Sequence, residues 1–60
     1  MNKVSIVTGA AQGMGLAIAK NFLDNKFNVI LADNNIEILK KEYEKLLHIY
    51  DENKILYFNL

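Results

Sequence analysis

Three glycines near the start of the chain stand in the pattern G-x-x-x-G-x-G. They are Gly9, Gly13 and Gly15, within the stretch Thr-Gly-Ala-Ala-Gln-Gly-Met-Gly at residues 8–15, directly after an apolar run. A glycine-rich turn between a buried strand and a helix lets the backbone approach a phosphate closely, and the helix N-terminus offers it free N–H groups. This spacing therefore predicts a binding site for a nucleotide pyrophosphate.

Two better-known phosphate-binding patterns do not fit this turn. Read from Gly13, the pattern G-x-G-x-x-G would place Ile18 where a small residue is required. A Walker A loop beginning at Gly9 would need a glycine at position 14 followed by Lys and Ser or Thr, and that position holds Met14. The turn is thus not a P-loop, and it departs from the common dinucleotide fingerprint.

An acidic residue, Asp33, closes the second apolar run of the chain. At the carboxyl end of a strand beside a phosphate-binding turn, such a side chain accepts hydrogen bonds from ribose hydroxyls and repels a 2′-phosphate. Asn34 and Asn35 follow it, Gln12 lies in the turn, and the chain contains no arginine. These residues predict a preference for NAD over NADP. The alternative interpretation of Asp33 is a turn or helix-capping aspartate.

The elements that would position these residues alternate along the chain. Short β-branched and apolar runs predict strands, and apolar residues at helical spacing predict helices between them. Asn34 is predicted to be the N-cap of the second helix, with Glu37 completing a capping box. The predicted strands cover residues 3–7, 28–32 and 54–59, and the first helix covers residues 13–25.

The order β-α-β-α-β predicts parallel strands joined by right-handed crossovers. Two such crossovers in one direction place both helices on the same face of the sheet, which leaves the opposite face bare. Parallel sheets are normally covered on both faces. The expected fold is therefore an α/β, Rossmann-type parallel sheet, the first half of a doubly wound NAD(P)-binding domain. Residues 1–60 are expected to form this partial domain, with no second domain.

The turn resembles the N-terminal signature T-G-x-x-x-G-x-G of the short-chain dehydrogenase/reductase family, and the resemblance covers the whole chain. With Asp33, the Ala-Ala-Gln-Gly turn is similar to NAD-dependent acetoin and butanediol dehydrogenases of that family. Met14 stands where family members often carry Ile. Asn59 stands where they usually carry an Asp that binds the adenine amino group, and its amide oxygen could accept the same bond.

This resemblance implies an oxidoreductase that transfers hydride between a nicotinamide cofactor and an alcohol or ketone. It also implies a homo-oligomer. The cofactor is expected to be NAD, with NADP the less favoured alternative. The residues predicted to bind the cofactor are Thr8, Gly9, Gln12, Gly13, Met14, Gly15, Asp33 and Asn59.

The family's catalytic Ser, Tyr and Lys are not predicted within these 60 residues. Tyr50 and Lys54 match the spacing Y-x-x-x-K of the family, in which the Lys lowers the pKa of a Tyr general acid/base. They straddle a predicted helix end and a polar turn, however, so one helical face cannot hold both side chains. The match is therefore interpreted as coincidental, and no residue of the chain is predicted to be catalytic.

The composition of the chain argues against several other kinds of binding site. The chain is 52% hydrophobic with a net charge of +0, which indicates a folded protein and argues against an electrostatic nucleic-acid surface. It has no cysteine and one histidine, His48, so no metal site is predicted. No segment has the length of a membrane span or the form of a signal peptide, and a cytoplasmic location is expected.

Two other functions remain open at this point. The chain could be a non-catalytic truncated remnant that binds nucleotide weakly or does not fold. It could instead be a self-associating module whose bare sheet face and strand edges pair between copies.

Overall fold

A computed structural model of the chain describes residues 3–60. The elements alternate as the sequence predicts, with one additional short 3₁₀ helix before the last strand. In order they are β1 (Val4–Thr8), α1 (Gly13–Asp24), β2 (Asn28–Asp33), α2 (Ile36–Leu46), the 3₁₀ helix (Glu52–Lys54) and β3 (Ile55–Asn59).

The strands form a parallel sheet in the order β1-β2-β3. Thr8 lies opposite Ala32, and Asp33 lies opposite Asn59. The carboxyl ends of all three strands therefore meet at one edge of the sheet, where the glycine turn also begins. This βαβαβ arrangement confirms the predicted half of a Rossmann-type fold.

One face of the sheet carries the core. Val29, Leu31 and Ile55 on this face are each at most 1% exposed, and Leu39 and Leu46 of α2 are buried with them. Ala19 and Leu23 of α1 belong to the same buried cluster, so both helices pack on this face. Alternation along a strand requires the intervening side chains to point the other way.

The opposite face of the sheet is bare within residues 3–60, as the crossover argument predicts. Val4, Ile6, Leu56 and Phe58 alternate with the buried residues along β1 and β3, and each is between 60% and 66% exposed. Their register places them across Ile30 of β2, so they form one continuous apolar surface.

Several boundaries differ from the sequence-based prediction. β1 begins at Val4 and includes Thr8, β2 extends to Asp33, and Lys54 belongs to the 3₁₀ helix rather than to β3. Helix α1 ends at Asp24, one residue before the predicted end. These are shifts of one residue at frayed ends.

The predicted N-cap of α2 is wrong by one position. Asn35, not Asn34, caps the helix, because its side chain accepts a hydrogen bond from the Ile38 N–H at 3.2 Å. Glu37 therefore does not occupy the third helical position that a capping box requires, and that position holds Ile38. The backbone N–H of Asn35 is itself bound by Asp33, which fixes where the strand ends and the helix begins.

Helix α1 ends in a Schellman motif with an unusual residue at its left-handed position. The Phe27 N–H donates to the Phe22 carbonyl at 3.0 Å, and the Lys26 N–H donates to the Leu23 carbonyl at 3.1 Å. The rings of Phe22 and Phe27 pack with centroids 4.8 Å apart, which supplies the apolar contact typical of this motif. Lys26 has φ 70°, where glycine is usually found.

Replacing Lys26 with Gly is expected to stabilise the protein by up to about 1 kcal/mol, because glycine reaches this conformation without a Cβ penalty. Lys20→Gly, in the middle of α1, is the matched control and should destabilise by about 1 kcal/mol. Urea unfolding of both variants measures the difference. If Lys26→Gly lost as much stability as Lys20→Gly, the proposed strain at Lys26 would be excluded.

Candidate dinucleotide site at the carboxyl edge of the sheet

The glycine turn leaves β1 at Thr8 and enters α1 at Gly13. Gly9 has φ 65° and Gly13 has φ 62°, both in the left-handed region. A Cβ added at either position would meet no atom within 4 Å, so the backbone conformation, not space, selects glycine there. The turn therefore reverses sharply enough for the helix to start beside the strand end.

Gly15 is required for a different reason. A Cβ on Gly15 would overlap the carbonyl oxygen of Gly9, and it would lie 2.7 Å from the Gly9 carbonyl carbon. The first turn of α1 thus packs directly on the backbone of the glycine turn. The close contact that Gly15 permits is therefore with the glycine turn itself.

The amino end of α1 is left open by the protein's own side chains. Gln12 is the N-cap in extended conformation, and it makes no side-chain capping hydrogen bond. The first turn of the helix contains no acidic residue. Since the first N–H groups of a helix have no intrahelical partner, they are available to an anion together with the positive end of the helix dipole.

Asp33 lies beside this turn and binds it. Its Oδ2 accepts a hydrogen bond from the Ala11 N–H at 3.1 Å, and its Oδ1 accepts one from the Asn35 N–H at 2.9 Å. The pKa of Asp33 is lowered from its ordinary value of 3.8, first by the Asn35 N–H and then by the Ala11 N–H. Among residues 3–60, no basic side chain forms an ion pair with Asp33.

A cavity of about 420 Å³ opens at the same edge of the sheet. It is lined by Gly9, Asp33, Asn34 and Leu60. The Leu60 N–H donates to the Asp33 carbonyl at 3.0 Å, which holds the end of the chain against β2. A cavity of this size is in the range of small-ligand sites.

The other predicted site residues are arranged around this edge. Thr8 and Met14 are exposed, and Met14 is 79% exposed beside the open end of α1. Asn59 is exposed and pairs with Asp33 in the strand register. The structure thus brings all the predicted positions to one side of the molecule.

Two contributors are not evident from the sequence. Leu60 lines the cavity, and the Ala11 N–H is the partner of Asp33. Neither a leucine at residue 60 nor an alanine in the turn has a distinctive side chain. Their involvement follows from strand register and from a backbone contact across 22 residues of sequence.

The residues of the coincidental Y-x-x-x-K match serve the fold. The Tyr50 hydroxyl donates to Asp24 Oδ1 at 2.5 Å, which links the segment after α2 to the end of α1. Lys54 ends the 3₁₀ helix. The hydrogen bond to Asp24 raises the pKa of Tyr50 above its ordinary value of 10.0, the opposite of what a catalytic tyrosine base needs.

Tyr50→Phe is expected to lower the free energy of unfolding by about 0.5–1 kcal/mol at neutral pH, because the Asp24 carboxylate loses its donor. Since the pKa of Tyr50 is raised by folding, this stabilisation is complete below pH 10 and is lost as the pH rises through the folded-state pKa. Urea unfolding at pH 7 and above pH 10 measures both effects. Tyr57→Phe is the control, and an equal loss of stability in both variants would contradict the assignment.

Among residues 3–60, no group of three or more His, Cys, Asp or Glu side chains could hold a metal ion. In that same part of the chain, no helix has the length and apolarity to cross a bilayer.

These features define the class of site. A parallel βαβαβ sheet, a glycine turn that opens a helix, and an acidic residue at the carboxyl end of the next strand are the parts of a Rossmann-type dinucleotide site. The open N–H groups suit a pyrophosphate, and the unneutralised Asp33 carboxylate suits a ribose with free hydroxyls. The residues present therefore fit a nicotinamide dinucleotide.

Comparison with known proteins agrees with this class. A sequence profile described as short chain dehydrogenase matches residues 3–60. The chain therefore belongs to the short-chain dehydrogenase family, which uses nicotinamide cofactors.

Two curated relatives differ in the substrate that their names give. The chain is 39% identical over 54 residues to a 3alpha-hydroxysteroid dehydrogenase of Mediterraneibacter gnavus, covering 90% of this chain and 22% of that protein. It is 47% identical over 45 residues to an (S)-acetoin-forming diacetyl reductase of Staphylococcus epidermidis, covering 75% of this chain and 17% of that protein.

A solved structure shows the same fold. YwfH, an NADPH-dependent reductase involved in bacilysin biosynthesis, superposes with a TM-score of 0.90 at 25% sequence identity, covering 100% of this chain and 25% of that one. The chain thus spans about a quarter or less of the length of each of these relatives.

Proposed function

We propose that this chain is the NAD-binding part of a short-chain oxidoreductase that transfers hydride between nicotinamide and an alcohol or ketone. The observation that carries the preference for NAD is Asp33. Its carboxylate stays ionised at neutral pH and lines the cavity beside the glycine turn, and none of the other residues that line this cavity (Gly9, Asn34 and Leu60) is a cation that would accommodate a 2′-phosphate. Residue 33 would therefore accept hydrogen bonds from the adenosine ribose and repel NADP.

The proposed substrate is a small ketone or diketone of the acetoin and diacetyl type. The support for it is the similarity of the Ala-Ala-Gln-Gly turn with Asp33 to that subgroup, and the 47% identity to a diacetyl reductase. In the direction of reduction, NADH would deliver hydride to a carbonyl carbon and a proton would go to its oxygen. Catalytic Ser, Tyr and Lys residues are proposed to lie outside these 60 residues.

The protein is expected to act in the cytoplasm as a homo-oligomer, with the nicotinamide dinucleotide and a small substrate as its partners. A second candidate function is a self-associating module, which the continuous apolar surface of Val4, Ile6, Leu56 and Phe58 favours.

The natural protein in its full length decides between these functions. NAD and NADP are titrated separately by calorimetry, and reduction of diacetyl, acetoin and a 3-ketosteroid by NADH is followed at the absorbance of the reduced cofactor. We expect NAD to bind tighter by at least about 10-fold and diacetyl to be reduced fastest. A folded protein that binds neither dinucleotide and associates with rising concentration would favour the second candidate.

A further inference from the structure

The first half of the glycine turn is tied to β2 by two hydrogen bonds. The Ala10 N–H donates to the Ala32 carbonyl at 3.1 Å, and the Ala11 N–H donates to the Asp33 carboxylate at 3.1 Å. Both alanines are buried, Ala10 at 0% and Ala11 at 2% exposed. The turn is therefore held by its backbone, and one of its two attachments to β2 is a side chain that is also predicted to bind the ligand.

An aspartate has the acceptor capacity for both tasks. Two carboxylate oxygens offer about four lone-pair positions, and the Ala11 and Asn35 N–H groups use one position on each oxygen. The Asn34 N–H also lowers the pKa of this carboxylate, so at least one position is left for a ligand. An asparagine at residue 33 has one oxygen and one NH₂ group, so it can accept from Asn35 or from Ala11 but presents a donor to the other.

The position of the glycine turn decides the direction of the backbone N–H groups that would bind the ligand. Residues 12–15 follow Ala11 directly, and the backbone of Gly15 packs on Gly9 without space for a side chain. A shift of Ala11 would therefore move the amino end of α1 relative to Gly9 and to the cavity. Displacements of about 1 Å at a preorganised site cost on the order of 100-fold in function.

We propose that Asp33 is a positioning residue, which holds the glycine turn in its phosphate-binding conformation through the Ala11 N–H, in addition to accepting from the ribose. This inference rests on the proposed NAD site. The positioning role assigns two properties of the site, cofactor choice and nucleotide affinity, to two different features of Asp33. The choice between NAD and NADP comes from the charge of Asp33, and part of the affinity for any nucleotide with a pyrophosphate comes from its bond to Ala11.

A ligand without ribose hydroxyls separates the two roles. ADP and 2′,3′-dideoxy-ADP are titrated into the full natural protein and into Asp33→Ala, because an asparagine could keep the bond to Ala11 through its one oxygen. If Asp33 positions the turn, the variant binds dideoxy-ADP about 10-fold more weakly than the natural protein does, although no hydroxyl is present to be lost. Equal affinity of the two proteins for dideoxy-ADP would overturn the positioning role.

The chain offers a matched control for this substitution. Asp51 Oδ1 accepts from the Asn53 N–H at 2.9 Å, the same local bond that Asp33 makes to Asn35, but Asp51 is remote in sequence from the turn. Asp51→Ala removes the same charge and the same kind of local bond. We expect it to bind both nucleotides as the natural protein does, and a parallel loss of affinity would assign the effect to net charge instead.

A measurement without ligand tests the bond between Ala11 and Asp33 separately from the proposed function. The chemical shift of the Ala11 amide proton, observed by NMR, should change with a midpoint at the lowered pKa of Asp33 as the pH falls, and the protection of this amide, relative to the intrinsic exchange rate at each pH, should decrease. In Asp33→Asn this titration should be absent. If the chemical shift of the Ala11 amide proton does not depend on pH, the positioning role is overturned. If that shift does depend on pH but ADP does not bind, only the proposed function is overturned.

Discussion

Gly15→Ala is expected to destabilise the protein by about 3 kcal/mol and to weaken NAD binding by roughly 100-fold. The added Cβ would meet the Gly9 carbonyl, which is backbone and cannot rotate away as a side chain could. Either the glycine turn or the first helical turn of α1 must therefore move. Alanine is otherwise favoured over glycine in helices by about 1 kcal/mol, so propensity acts in the opposite direction.

Gly13→Ala is the comparison for Gly15→Ala. Its φ of 62° is unfavourable for alanine, but the new Cβ meets no atom within 4 Å. The expected loss is about 1–2 kcal/mol. Urea unfolding and calorimetric titration with NAD measure both variants in the full natural protein. If Gly15→Ala proved as stable as the natural protein, the close packing of α1 on the turn would be wrong.

Asp33→Ser is expected to shift the ratio of NAD to NADP affinity by on the order of 100-fold toward NADP. The substitution removes the charge that repels the 2′-phosphate, while a hydroxyl can still accept from the ribose or contact a phosphate. NAD affinity should fall at the same time, since Ser cannot bind Ala11, Asn35 and the ribose together. The change in the ratio of NAD to NADP affinity is therefore the result that measures the effect of the Asp33 charge.

Separate titrations with NAD and NADP measure this ratio, with Glu44→Ser as the control. Glu44 is an exposed carboxylate of α2, and its removal changes the net charge equally. An unchanged ratio in Asp33→Ser would contradict the role assigned to the carboxylate. An equal shift in Glu44→Ser would show that net charge alone sets the preference.

Local patterns were sufficient to predict the order of elements and the edge of the sheet at which the candidate site residues lie. Strands of consecutive apolar residues, Gly9 and Gly13 at positions that need positive φ, and Asp33 after an apolar run are all properties of neighbouring residues. The handedness of crossovers then predicts which face of the sheet is bare, and the exposed Ile6 and Phe58 confirm it.

The features that the sequence did not predict depend on contacts between residues distant along the chain, or on which of two neighbouring residues caps a helix. The N-cap of α2 lies at Asn35 because Asp33 binds the Asn35 N–H and ends β2 there, whereas both asparagines are equally good caps by type. The bond from Ala11 to Asp33 forms only when β1 and β2 pair. Lys26 adopts positive φ because the packing of Phe22 and Phe27 completes the Schellman motif around it.

Hydrogen exchange with and without NAD is the most direct test of whether residues 8–15 bind the cofactor. In the full natural protein, saturating NAD should slow exchange in a peptide covering residues 8–18. Exchange in α2 (Ile36–Leu46), on the covered face away from the turn, should change little. Binding of NAD with unchanged exchange across residues 8–18 would contradict the assignment of the glycine turn as the cofactor site.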